Sequence, residues 1–257
     1  MIALIGSGNV ATWIAGRLRD SDEFRIGQVY SRHLDNAKKL ADSLGAKAID
    51  DLKMLDPACD IFLFALRDDA YPEILNEIPF KMSIALHTAG SVSQHIFKDH
   101  AELYGVLYPL QSFSKQTDMS ALEVPLFVEG DRLGKAKDIV MRLAAMLSNK
   151  SGEMTEEQRK VVHLAAVFAC NFSNAMCGIA DDILRDHDMS LEVLMPLLQH
   201  SLDKLKTMSP KQAQTGPAAR GDTVVMGQQL FALKDERLQA IYRELSDYIL
   251  SQYEEKA

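Results

Sequence analysis

Apolar residues along the first half of the chain fall in short blocks separated by amphipathic stretches. The blocks Ile2–Ile5, Arg25–Tyr30, Asp60–Ala65, Ser83–Leu86, Leu103–Tyr108 and Pro125–Val128 are too short for helices and are bounded by polar or glycine turns, so they predict strands. The stretches Asn9–Leu18, Leu34–Leu44, Ala70–Glu77 and Gly134–Leu147 carry apolar positions three and four apart and predict helices. Strands alternating with helices imply βαβ units and a mainly parallel sheet. After Asn149-Lys150-Ser151-Gly152 the strand pattern stops. Thr155 with Glu156, Glu157 and Gln158 predicts a capped helix start, and the helix can run to about Arg185. A second helix opens at Ser190, a Pro-, Gly- and Ala-rich loop spans Ser209 to Gly221, and the apolar spacing from Leu230 to Tyr253 predicts a closing helical segment. The expected architecture is α/β: a Rossmann domain over residues 1–153 and an all-helical domain over residues 154–257.

Composition narrows the function classes without choosing one. A net charge of -8 disfavours nucleic acid as a partner. No continuous apolar run approaches the roughly 18 residues of a membrane span, and Met1-Ile2-Ala3-Leu4-Ile5 enters the fold directly, so a cytoplasmic location is expected. Cys59, Cys170 and Cys177 have apolar neighbours and no metal spacing, which predicts three reduced, buried thiols. No His/Asp/Glu spacing suggests a metal site.

The chemistry begins at Gly6-Ser7-Gly8-Asn9-Val10-Ala11, a G-x-G-x-x-A turn between a predicted strand and a predicted helix. Gly6 permits the tight turn, Gly8 lets a pyrophosphate approach the backbone, and the helix start offers free N–H groups. An NAD site would place an acid at the end of the second strand to accept the ribose hydroxyls. Here the segment is Tyr30-Ser31-Arg32-His33, a hydroxyl and a guanidinium suited to a 2′-phosphate, so NADP(H) is expected in preference to NAD(H). Leu66 and Arg67 after the third predicted strand, and Thr88 after the fourth, either line the same crevice or form turns that cap the next helices.

Over its length the chain resembles the Rossmann-like proteins that carry the helical domain of unknown function 2520. The resemblance rests on the glycine motif, His87-Thr88-Ala89-Gly90-Ser91, Tyr108-Pro109-Leu110-Gln111-Ser112-Phe113, the helix around Ala169-Cys170-Asn171-Phe172, and Thr215-Gly216-Pro217-Ala218-Ala219-Arg220-Gly221-Asp222. These proteins look like relatives of pyrroline-5-carboxylate reductase, the 6-phosphogluconate and β-hydroxyacid dehydrogenases, and deazaflavin-dependent NADP reductase. The resemblance implies an NAD(P)-dependent oxidoreductase with its active site between the domains and a homodimer built through the helical one. The Lys and Asn four residues apart of the β-hydroxyacid dehydrogenases are missing: Lys160 is followed by Leu164, and His163 by Val167.

On the predicted interdomain helix, Lys160, His163, Asn171 and Asn174 share an arc of roughly 80° at ~100° per residue. One reading makes His163 a proton donor, since imidazole exchanges protons near neutral pH, with Asn171 orienting the substrate. In the other, Lys160 and His163 are solvated and the asparagines are satisfied in a helical dimer interface. Arg220 either binds an anionic group in the crevice or ties its loop to neighbouring helices, and it has Asp222 within reach. By position His87 and Tyr108 are alternative proton donors, or else both support their loops, and Gln111 or Ser112 can line the cleft. The expected function is hydride transfer between NADP(H) and a small, anionic carbonyl or imine compound. The alternative is a non-catalytic NADP(H)-binding sensor or scaffold.

Overall fold

In a computed structural model the protein is described at residues 1–114 and 122–253. Two compact units emerge, Met1–Asn174 and Ala175–Ala257.

The first unit is built on one eight-stranded sheet: β1 (Ile2–Ile5), β2 (Ile26–Tyr30), β3 (Lys47–Ile49), β4 (Ile61–Phe64), β5 (Met82–His87), β6 (Ala101–Pro109), β7 (Leu126–Glu129) and β8 (Ser151–Glu153). Their spatial order is β3-β2-β1-β4-β5-β6-β7-β8, and every pairing is parallel except β6 with β7. The order reverses between β1 and β4, which opens a crevice beyond their carboxyl ends. Helices α1 (Asn9–Leu18), α2 (Leu34–Ala41), α3 (Tyr71–Glu77) and α4 (Lys137–Leu147) complete the layers. Strands β1 and β4 are buried along their whole length, hence their unbroken apolar runs. One face packs Leu4, Ile14, Val29, Leu63 and Leu143 into a core, and the other packs Ile5, Phe62, Phe64, Tyr71 and Phe97. Trp13 on α1 lies with its ring centroid 5.3 Å from that of Phe113.

Three features depart from the sequence expectation. Strands β3 and β8 are extra: three residues are too few to show an alternation, and they form by pairing with β2 and β7. Segment 151–153, expected as a loop, is one of them. The closing helical segment is two helices, Thr223–Ala232 and Glu236–Ser251, because Leu233 leaves helical geometry and Asp235 caps the second by accepting from the Arg237 N–H.

A helix, α5 (Glu156–Arg185), runs from the first unit into the second. Thr155 caps it reciprocally with Gln158: the Thr155 hydroxyl accepts the Gln158 N–H, and the Gln158 amide oxygen accepts the Thr155 N–H. Its stretch Val167–Phe172 is a π-helix, a wider coil that recurs at functional sites. By length and composition α5 is apolar enough to cross a membrane, with an 18-residue window of mean hydropathy 1.4, although it holds no long unbroken apolar run. Val161, Leu164, Phe168 and Phe172 are exposed along it.

The second unit also contains helices Met195–Lys204 and Pro210–Ala213. Between Gly216 and Gly221, both at positive φ, the chain makes a short turn over Ala218–Arg220. Within this unit only Ala218 and Ser246 are buried among the described residues. The thiols divide accordingly. Cys59 is buried in the sheet domain and burial pushes its pKa up to about 11, whereas Cys177 is half-buried and Cys170 is exposed, because the α5 face that carries it has nothing packed over it.

Candidate active site

The glycine turn sits where β1 hands over to α1. Gly6 has φ +120°, and a Cβ there would overlap the Ala65 carbonyl at the end of β4, so neither the turn nor the strand spacing tolerates a side chain. Gly8 is exposed with nothing within 4 Å of a Cβ position, and no side chain caps the start of α1. The first-turn N–H groups of α1 therefore face open space, which fits a pyrophosphate.

At the end of β2, Ser7 Oγ donates to Ser31 Oγ at 3.0 Å, joining the glycine turn to the position after the strand. Arg32 follows, exposed and with no ion pair among the described residues. Hydroxyl, hydroxyl and guanidinium together fit a phosphate on the ribose better than its bare hydroxyls. Asn9 Nδ2 donates to the Phe113 carbonyl at 2.8 Å, and Val10 lines a cavity further along. Leu66 is half-buried; Arg67 makes a two-pronged bond to Asp69, and the Thr88 hydroxyl points to the Phe64 carbonyl at 3.4 Å.

That cavity, about 610 Å³, lies wholly within the first unit. Its walls come from α1 through Val10, from the end of β5 through Thr88 and Gly90, from β6 and the segment after it through Tyr108 to Phe113, and from α5 between Val162 and Asn171. In its wall Tyr108 Oη lies 3.1 Å from His163 Nδ1. Burial raises the Tyr108 pKa, partly countered by the Arg159 charge, so its phenol remains protonated. His163 Nε2 has no hydrogen-bond partner among the described residues and is the ring nitrogen left for a ligand.

Of the four polar residues projected onto one face of α5, His163 and Asn171 line the cavity. Lys160 instead pairs with Glu156 one turn back, and Asn174 is not part of the wall. Gln111 and Ser112 line it as well. His87 is fully buried and cannot act as a proton donor: burial, with the nearby Arg159 charge, lowers its pKa to about 3 and keeps it neutral. Arg220 belongs to the second unit, is exposed, and has no ion pair among the described residues. Its expected partner Asp222 caps the helix Thr223–Ala232, accepting the Val225 N–H at 3.1 Å.

Two residues that the sequence reading passed over organise this site. Arg159 is 1% exposed and donates through Nε to Glu129 Oε2 at 2.9 Å and through Nη1 to the carbonyls of Ala89 and Gly90 at 3.2 and 2.6 Å. It therefore fastens the first turn of α5 to the β5 loop and to β7, one helical turn before His163. The available signals were a lone arginine four residues before His163 and a glutamate ending an apolar strand.

Residues 1–88 match the family described as NADP oxidoreductase, coenzyme F420-dependent, and residues 124–249 match a domain of unknown function, number 2520. No curated protein matches the sequence. A candidate NADP oxidoreductase from Bacteroides fragilis is 38% identical over 97% of each chain, with a TM-score of 0.89. The chain belongs to this NADP oxidoreductase family. Similarity of fold extends beyond the family. A 1-pyrroline-5-carboxylate reductase from Streptococcus pyogenes is 16% identical over 97% of this chain and 98% of its own, at TM-score 0.64. A reductive aminase from Aspergillus terreus, solved with NADPH and ethyl-5-oxohexanoate, is 14% identical over 98% and 86%, at TM-score 0.66. For this member of the NADP oxidoreductases, the glycine turn and the Ser31–Arg32 pair are the features of its own sequence that agree with the family's name.

Proposed function

We propose that the protein reduces a carbon–oxygen or carbon–nitrogen double bond with NADPH, and that His163 supplies the proton. The observation carrying this reading is the Tyr108–His163 pair inside a cavity that also holds Val10 of the glycine-turn helix and Thr88 of the β5 end. Gly6, Ser7, Gly8, Asn9 and Val10 would hold the pyrophosphate side of the dinucleotide, Ser31 and Arg32 its 2′-phosphate, and Leu66, Arg67 and Thr88 the remainder of its path. NADPH held there would supply the hydride to the electrophilic carbon, being oxidised to NADP⁺. His163, as imidazolium, gives the Nε2 proton to the oxygen or nitrogen of the same bond, yielding an alcohol or amine, and keeps its Nδ1 bond to Tyr108 as the ring becomes neutral. Asn171 orients the substrate from the same wall.

The helical part is proposed to pair with a second copy of the chain. A unit with two buried residues has almost no core of its own, and it exposes Val193, Leu197, Leu202, Val224 and Phe231. Lipid is a poor cover for the neighbouring face of α5, whose start carries Arg159 locked to Glu129 and whose length carries His163, Asn171 and Asn174. A small-molecule reductase working as such a dimer in the cytoplasm is the whole of the reading.

The test is calorimetric titration with NADPH and with NADH, followed by His163→Asn. Tighter NADPH binding, unaffected by His163→Asn, together with loss of NADPH-consuming turnover in that variant, is expected. Absence of binding by either nucleotide would overturn the reading.

A further inference from the structure

Apart from the His163 imidazolium, the described residues around this cavity carry no charge. None of the described residues lining it is Lys, Arg, Asp or Glu; its polar members are Thr88, Gln111, Ser112 and Asn171 beside the Tyr108–His163 pair, and the rest of the wall is largely aliphatic. Charges nearby are already matched. Arg159 pairs with Glu129 and donates to two carbonyls, its Nη2 buried without a partner among the described residues, while Lys160 pairs with Glu156 and Arg67 with Asp69. A carboxylate or phosphate entering such a wall would lose its water and meet no cation beyond the His163 imidazolium, whose proton goes to the reducible oxygen or nitrogen. An apolar body with one polar atom loses nothing comparable and gains by burying its surface, at about 25 cal/mol per Å². The cavity's volume lies in the range of sites for small organic ligands.

We infer that the substrate is a neutral ketone or imine with an aliphatic or cyclic apolar body, its reducible oxygen or nitrogen turned to His163 Nε2 and its body against Val162, Ala166 and Val167 of α5. This inference rests on the oxidoreductase reading and departs from the anionic substrate expected from the sequence. Ala166 decides the selectivity in this arrangement: it is half-buried, small, and sits one turn beyond His163.

The experiment is calorimetric titration of the full chain, saturated with NADP⁺, with methyl levulinate and with levulinate, a pair that differs in one negative charge. Cyclohexanone serves as a bulkier neutral probe. The ester is expected to bind at least about tenfold tighter than the acid, as 1.4 kcal/mol of desolvation alone would give, and Ala166→Lys is expected to abolish or reverse that ratio. Levulinate binding as tightly as its ester, or no binding by either neutral ketone, would overturn the inference while leaving the nucleotide reading intact. Failure of NADP⁺ itself to bind would remove both.

Discussion

Gly90 and His163 are in direct contact: the space that a Cβ of Gly90 would need is taken by the imidazole of His163, on its Nδ1 side. The same glycine gives its carbonyl to Arg159 at 2.6 Å. The β5 loop is thus pressed against α5 at the point where the proposed proton donor meets Tyr108.

Gly90→Ala is therefore expected to push the imidazole away from Tyr108. The prediction is a fall in kcat of at least about tenfold, the effect of a misplaced acid, with NADPH affinity unchanged and stability lowered by no more than about 1 kcal/mol. Steady-state kinetics beside nucleotide titration separates these outcomes. Unchanged turnover would show that the contact is passive.

Arg159→Met removes one partner of a buried ion pair. Stability at neutral pH should fall by about 3–5 kcal/mol, the usual cost of leaving a buried charge uncompensated. Burial already raises the Glu129 pKa, so in this variant Glu129 can take up a proton, and part of the loss should be recovered as pH falls towards 5. Urea unfolding at neutral and mildly acidic pH measures both effects.

His87 makes stability depend on pH in a predictable direction. Its folded pKa, about 3, lies below the ordinary 6.5 because the ring is buried. The unfolded chain therefore binds one more proton between those values, and stability is full above 6.5 and lost as pH falls, by up to about 1.4 kcal/mol per pH unit. The ring resonances of His87 should show no titration between neutrality and pH 5, and His87→Asn should flatten the acid side of the stability curve.

Arg32→Ala should weaken NADPH binding by about ten- to a hundredfold, the worth of a charged hydrogen bond, and leave NADH binding nearly unchanged. Equal losses for both nucleotides would place Arg32 elsewhere than on the 2′-phosphate.

Phe168 is exposed on α5 and packs edge-on to Phe172. If a second copy covers this face, Phe168→Glu should convert a particle of twice the 28.6 kDa chain mass into one of a single chain. Light scattering after size exclusion reads the difference directly, and a natural protein already of single-chain mass would sink the proposal.

The sheet was legible wherever strands were buried on both faces, since short apolar blocks between turns leave few alternatives. Strands β3 and β8 were not, because strands of three residues exist only through their neighbours. His163 and Asn171 could be projected onto one face of α5 from spacing alone. The projection also included Lys160 and Asn174, which pair with Glu156 and lie outside the wall respectively, and it could not foresee the π-helical stretch between them. Arg159 and Glu129 were missed for a physical reason: a charged residue reads as solvent-facing until the partner that neutralises it, 30 positions away in sequence, is known.

Trp13 is the only tryptophan in the chain. It rides on the helix that starts at the glycine turn and packs on Phe113, whose carbonyl is held by Asn9 of that turn. The protein consequently carries an intrinsic optical reporter beside the glycine turn. Quenching of Trp13 emission, or energy transfer from it to a reduced nicotinamide, would follow occupancy of the glycine turn in real time, with no dye and no engineered label.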